Sequence, residues 1–290
     1  MIRPWLEATR PKTLPAAIIP VLVGSALAHA EGSFNWQPAT ACMVFALLIQ
    51  IGTNFANDYA DFEKGADSLE RVGPRRAVAS GLIPVAAMRR GAFIVFGLAF
   101  ACGMALVHWR GWELLPLGIM CLLFGWAYTG GPFPLAYHGL GDVFVFVFFG
   151  LVAVSGTYYV LTDRLECDIL LAAVPVGLLA TNILVVNNYR DIVVDERAGK
   201  HTLVVRFGRK FARRQYALSL VCAAAVPIVL ALKWERPPLA FASLAIVPGV
   251  LLTRQLATMR DGRGLNSLLG RTAALLLGFG ATWAPLLAFA

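Results

Sequence analysis

The chain has 290 residues, 58% of them hydrophobic and 14% charged, and its mean hydropathy is +0.69. A soluble domain of this length needs far more polar surface, so the composition excludes a water-solvated globule and points to lipid. The formal charge of +8 leaves both a membrane and a polyanion open, and its distribution decides between them.

The apolar residues form continuous blocks without alternation, and only helices or closed barrels satisfy backbone polar groups in hydrocarbon. A helix needs about 20 apolar residues to cross. In chain order the blocks predict spans over residues 13–30, 38–57, 86–108, 112–129, 139–161, 168–190, 214–232, 237–252 and 267–289, the eighth being the shortest. The predicted fold class is all-α: a polytopic membrane protein with about nine transmembrane helices in a single domain over 1–290. The first span follows a charged start without a small-residue cleavage pattern, so no cleaved leader is expected.

With nine spans the connections alternate sides. One side then carries 21 of the 25 basic residues, including Arg71, Arg260 and the stretch from Arg190 to Arg214, and the other carries Arg110, Arg164, Lys233 and Arg236. This bias places the N-terminus and the long loops in the cytoplasm, at the inner membrane of a cell. The basic excess is thereby an orientation signal, and no nucleic-acid partner is expected. The five cysteines have no metal or redox spacing and read as small core hydrophobes.

The acids are concentrated at two places. Five of the 17 lie between Asp58 and Glu70, and three more are Asp191, Asp195 and Glu196. Both clusters fall at the cytoplasmic ends of even-numbered spans and lead into the longest loops, at about 58–85 and 190–213. The first reads Asn57-Asp58-x-x-Asp61-x-x-x-Gly65-x-Asp67, and the second reads Asn187-Asn188-x-Arg190-Asp191-x-x-x-Asp195. Aligning Asn57 with Asn187 puts Asp61 on Asp191, and the four-residue spacing stacks these side chains on one helix face. In the first motif Gly65 takes the next place, the helix is expected to end there, and Asp67 returns after the turn.

Stacked carboxylates repel unless a cation intervenes. The donors in both motifs are carboxylates and Asn carbonyls, all oxygens, which selects Mg²⁺ over zinc or copper. Magnesium favours one or two protein carboxylates plus phosphate oxygens, so the pattern implies a diphosphate held between two motifs. Asp61, Asp191 and Asp195 are the candidate catalytic acids, with Asn187 in register beside them. Lys12, Arg76, Arg190 and Lys200 lie close to the motifs in sequence or at the first span, and suit phosphate oxygens. A third polar element, the Gly/Pro-rich segment from Tyr128 through Tyr137 to Asp142, carries no basic residue, and its two tyrosines are candidates to line a pocket for an aromatic ring or a carbocation. The histidines have no ligand spacing.

These elements resemble the UbiA superfamily of intramembrane prenyltransferases, and more narrowly the branch that prenylates 1,4-dihydroxy-2-naphthoate in menaquinone synthesis. The resemblance is carried by Arg10-Pro-Lys-Thr-Leu-Pro15, the Asn57 and Asn187 motifs, Arg76-Ala-Val-Ala-Ser80-Gly81 and Tyr128-Thr-Gly-Gly-Pro132. It implies helices around a central cavity capped by the two cytoplasmic loops, Mg²⁺ dependence, a polyprenyl diphosphate donor, an aromatic acceptor, and a lipid-facing opening for the prenyl tail; its metal and diphosphate residues carry over to Asn57, Asp61, Asp67, Asn188, Asp191 and Asp195, with Asp58 as an added acid of the first motif. The activity it implies is transfer of the polyprenyl group to the naphthoate with loss of CO₂ and diphosphate, giving demethylmenaquinone. Three other readings compete. A superfamily sibling would take another acceptor such as 4-hydroxybenzoate, a CDP-alcohol phosphatidyltransferase would gather its acids in one signature, and an ion-coupled transporter would keep acids at mid-membrane.

Overall fold

The computed structural model describes residues 2–67, 73, 75–259 and 262–289. Glu70, Arg71 and Arg260, which entered the charge pattern, lie outside the described residues, as does part of the predicted 58–85 loop. The elements are α1 (Ile2–Ala8), α2 (Pro15–Ala30), α3 (Trp36–Glu63), α4 (Val85–Arg110), α5 (Leu114–Ala127), α6 (Gly141–Thr162), α7 (Cys167–Arg197), α8 (Leu203–Lys233), α9 (Pro237–Thr258) and α10 (Gly262–Phe289).

Each predicted span coincides with one of α2 to α10. Seven, all but α2 and α5, are long and apolar enough to cross a membrane, so the chain is a multi-pass membrane protein. Helix α2 reaches that measure only with the preceding segment, which meets it at a 55° bend. The bend has local causes: Arg10 is left-handed (φ 52°), Pro11 and Pro15 start new helical turns, and neither proline has an N–H to continue the earlier one. The short span is α5, with 14 residues, and not the eighth, which continues to Thr258 behind a 3-10 first half at Pro237–Ile246.

Helix α10 packs along α2, so the last span closes against the first, and α7 sits between α6, α8 and α10. Polar contacts tie the helices at their other ends: the Trp283 indole donates to Ala172 O at 3.2 Å, and Lys233 and Trp234 both bond Asp168. Cys42 is buried as expected, but Cys167 and Cys222 are exposed, so the reading of all five as core residues fails for these two.

Helices α6 and α7 meet backbone to backbone. Residues Phe146–Val152 of α6 form a π-helical turn, and a Cβ on Gly150 would lie 2.6 Å from Gly177 Cα. The π turn re-aims one turn of side chains, and the glycine pair lets the backbones touch. Gly150→Val is expected to lower stability by about 1–3 kcal/mol through overpacking. A thermal unfolding midpoint in detergent equal to that of the unaltered protein would show that the contact has slack.

Candidate active site

The two acid motifs end their helices in the same way. In α3 the chain turns at Gly65 (φ 72°), with the Ala66 N–H donating to Asp61 O at 2.8 Å. In α7 it turns at Gly199 (φ 67°), with the Lys200 N–H donating to Asp195 O at 2.8 Å. Glycine is required because both turns reverse the backbone through the left-handed region, which leaves the last carbonyls capped. The structural equivalence is therefore Asp61 with Asp195 and Asn57 with Asp191, one helical turn away from the alignment drawn on sequence.

The Gly65 turn brings Asp67 back to the first motif. Arg76 joins the two acids, with Nη2 3.3 Å from Asp61 Oδ2 and Nε 3.3 Å from Asp67 Oδ1, and all three side chains are buried. Lys200 crosses from the second motif to the first, its Nζ 3.8 Å from Asp61 Oδ2. The Tyr137 hydroxyl donates to Asp61 Oδ1 at 3.0 Å, and the ammonium groups of Lys64 and Lys200 lie 4.9 and 5.4 Å from its ring centroid. Burial first, and then the Asp61 carboxylate, push the Tyr137 hydroxyl above its ordinary range, so it stays protonated and donates.

The loop after α5 is fastened to both motifs. The Thr129 hydroxyl donates to Asn57 Oδ1 at 2.6 Å, Lys64 Nζ donates to Thr129 O, and the His201 N–H donates to Tyr137 O at 3.0 Å. Below this assembly lies a cavity of about 290 Å³ whose wall includes Asn57, Asp61, Arg76, Asn187, Asn188 and Lys200 at the polar end. Its apolar part includes Phe124, Phe144 and Phe148, whose ring centroids lie 4.9–5.8 Å apart, with Phe144 and Phe148 stacked within 9°. One chamber thus joins a cluster of acids and cations to an aromatic and aliphatic wall.

Several expected site residues are placed differently. Asp58 is turned away from the other acids: its two carboxylate oxygens accept from the Ala77 and Val78 N–H groups at 3.2 and 3.0 Å. It pins the backbone just after Arg76 and thereby holds that arginine over Asp61. Asp58→Ala is expected to cost about 1.5–3 kcal/mol, the worth of hydrogen bonds to a charged group. Turnover per folded protein should fall with it, because Arg76 loses its hold over Asp61; unaltered turnover at full folded yield would show that Arg76 keeps its place without this pin. Lys12 lies exposed in the 3-10 turn Pro11–Thr13, and its neighbours Arg10 and Thr13 line the cavity instead. Arg190 is committed to protein partners: its fork donates to both Asp191 oxygens at 2.7 and 2.6 Å, and to Asn187 and Asn266 Oδ1 at 2.8 Å each. Tyr128 lines the cavity, whereas Asp191 and Asp195 are buried on α7 beside Asn187 and Asn188 without reaching its wall.

Among the described residues no three His, Cys, Asp or Glu side chains gather into a closed metal cage. The donor chemistry nonetheless fits a hard divalent ion, since Asn57, Asp61, Asp67, Asn188, Asp191 and Asp195 offer only oxygens in a hard-cation set, and such an ion takes few protein ligands beside phosphate. Thr129, the phenylalanine cluster and Asn266 went unnoticed on sequence. The four-residue spacing of Phe144 and Phe148 was a usable signal, while Thr129 and Asn266 act through contacts 72 and 76 residues away along the chain, which no local pattern announces.

A multi-pass membrane protein with paired oxygen-donor motifs over an apolar chamber belongs among the intramembrane enzymes that handle a charged head group on a hydrocarbon tail. Residues 17–275 match the UbiA prenyltransferase family, and the chain belongs to it. It is 43% identical over 230 residues to the 1,4-dihydroxy-2-naphthoate octaprenyltransferase of Escherichia coli K12, covering 76% of this chain and 75% of that one. The protein of the same name from Mycobacterium tuberculosis H37Rv is 38% identical over 265 residues, covering 91% of this chain and 89% of that one. The fold is also that of a UbiA homolog from Archaeoglobus fulgidus solved bound to GPP and Mg²⁺, with a TM-score of 0.64 at 16% identity over 97% of this chain and 99% of the other.

Proposed function

We propose that this chain transfers a polyprenyl group from a polyprenyl diphosphate to 1,4-dihydroxy-2-naphthoate, releasing diphosphate and CO₂ and forming the demethylmenaquinone skeleton of menaquinone synthesis. The observation that carries this is the chamber itself: Asp61, Arg76 and Lys200 stand at one end and the Phe124–Phe144–Phe148 cluster on its wall. A polar head and a prenyl chain need those two surfaces together. The naphthoate acceptor follows the names of the relatives given above.

Mg²⁺ is the ion proposed, with Asn57, Asp61 and Asp67 of the first motif and Asn188, Asp191 and Asp195 of the second to hold it. It would supply neutralisation of the leaving diphosphate. The chain's own contribution is cationic as well: Arg76 and Lys200 sit at the acids and are placed to take phosphate oxygens. Tyr137 keeps its proton and fixes Asp61 by hydrogen bonding. The allylic C–O bond breaks as its electron pair leaves with diphosphate, and the phenylalanine faces shelter the allylic cation. The electron-rich ring then forms the new C–C bond, and its carboxylate leaves as CO₂. The proposed setting is the inner membrane with the N-terminus and the acid motifs at the cytoplasmic side, supported by the 21 basic residues assigned to that side. The segments at about 58–85 and 190–213 act as caps of a single domain, into which α3 and α7 run as far as Glu63 and Arg197.

Membranes containing the chain, supplied with Mg²⁺, octaprenyl diphosphate and either 1,4-dihydroxy-2-naphthoate or 4-hydroxybenzoate, test this by product mass. The expected product is an octaprenyl naphthoquinol lacking the carboxyl group. An octaprenylated 4-hydroxybenzoate that keeps its carboxyl, with no product from the naphthoate, would overturn the acceptor.

A further inference from the structure

The outer surface of the last two helices carries arginines that the transfer chemistry does not use. Beyond Arg236 the sequence holds four basic residues, Arg254, Arg260, Arg263 and Arg271, and one acid, Asp261. Arg260 and Asp261 lie outside the described residues. The other three arginines are exposed and have no acid partner among the described residues. Arg263, Ser267 and Arg271 follow one another at four-residue spacing, so they stack on one exposed face of α10. Arg271 stands one turn inside the predicted span 267–289. Its Nη1 donates to Gln255 Oε1 of α9 at 3.1 Å. That bond ties the guanidinium to the α9–α10 seam, next to Arg254, and a neutral amide leaves its charge uncancelled.

A charge at the edge of hydrocarbon is costly unless it reaches an opposite charge at the membrane surface. The surface beneath these arginines is built for an apolar chain. The same face of α10 continues as Ala274, Gly278 and Ala281, all exposed. A Cβ on Gly270 or Gly278 would meet nothing within 4 Å, so the space over this face is open. Two contacts fix α9 against α10: Gln255 on Arg271, and Gly249, where a Cβ would come within 3.1 Å of Leu275 Cδ2. The antiparallel run between them sets Leu251 and Val247, each 59% exposed, level with Ala274 and Gly278. The seam is thus a trough with a floor of small residues and one wall of branched side chains. Its arginines lie at the end that meets the acid motifs, where Asn266 accepts from Arg190.

We infer that this seam binds an anionic phospholipid, with the phosphate between Arg254 and Arg271 and one acyl chain along the trough. A dissolved phosphate or nucleotide has no tail for the trough. An acidic soluble protein does not reach an arginine one turn inside the span. A zwitterionic lipid brings a cation of its own, which the arginines repel, so the site selects net negative charge. Each arginine at an anionic lipid surface is worth about 5-fold in binding. The inference stands apart from the transfer reading, because none of these residues lines the chamber.

The test uses the full chain in nanodiscs of phosphatidylglycerol and phosphatidylcholine, equimolar and with the same acyl chains. Native mass spectrometry of the released protein reads the ratio of the two lipids retained. The unaltered protein is expected to keep phosphatidylglycerol at least about 10-fold over phosphatidylcholine, and Arg254→Gln/Arg271→Gln to bring that ratio to within about 2-fold. A charge-matched control, Arg90→Gln/Lys210→Gln, removes two exposed cations elsewhere on the same side and is expected to keep the ratio of the unaltered protein. Gly278→Leu, which fills the trough, is expected to lower retention of both lipids, and unchanged retention overturns the acyl track. An even ratio in the unaltered protein, or a full one in Arg254→Gln/Arg271→Gln, overturns the inference. So does a control that lowers the ratio as far, since it would leave only a general attraction to positive side chains. Should the double variant not fold, Arg254→Gln alone decides, because that side chain holds no protein group among the described residues. A loss of about 5-fold in the ratio is then expected, and an unchanged ratio overturns the site.

Discussion

Asp61→Ala is expected to lower prenyl transfer by about 10²–10³-fold, the usual cost of removing one preorganised electrostatic group from a closed site. The residue sits where three lines of the structure meet: it accepts a hydrogen bond from the Tyr137 hydroxyl at 3.0 Å and pairs with Arg76 at 3.3 Å and, at longer range, with Lys200 at 3.8 Å. The fold should survive, because Arg76 keeps Asp67 and the helix end is capped by backbone bonds at Gly65. Product mass per folded protein, measured in membranes and normalised by size-exclusion recovery in detergent, separates the two quantities. Turnover close to that of the unaltered chain would remove Asp61 from the chemistry.

Arg190→Ala is expected to act on stability instead, by about 3–5 kcal/mol, because it leaves a buried carboxylate without its counter-charge. Arg190 holds both oxygens of Asp191 and links Asn187 on its own helix to Asn266 on α10. It therefore sets the orientation of the second motif and ties the last helix to it. Arg190→Lys should recover only part of the loss, since a point charge cannot reproduce a two-bond fork. Thermal unfolding in detergent reads both variants. An Arg190→Ala protein as stable as the unaltered one, with transfer lost, would move Arg190 back to the diphosphate, where sequence reasoning had placed it.

The sequence was legible where one physical rule dominated. Hydrocarbon demands unbroken apolar helices, so the blocks mapped onto α2 to α10, and glycine at 65 marked a helix end because a left-handed residue was needed there. Legibility failed where a residue has two permissible partners. Arg190 and Asp58 carry the right charge for a phosphate or metal site, and the structure spends them on a neighbouring carboxylate and on two backbone N–H groups. Aligning Asn57 with Asn187 matched letters, whereas the turns at Gly65 and Gly199 match the places where the helices stop, and these differ by one turn. Side-chain identity repeats every four residues along such stacks, so only the end of the helix fixes the register.

The Arg76 and Lys200 contacts have a consequence for what this mouth refuses. The chain neutralises its own site: the cations that a diphosphate would use are already balanced by Asp61 and Asp67. An anion arriving alone must face the carboxylates that already engage these two cations. Inorganic phosphate and free nucleotides are therefore poor occupants here, however abundant. Productive entry requires a second positive partner to take over the acids at the same time, which makes the two arrivals mutually reinforcing by linkage.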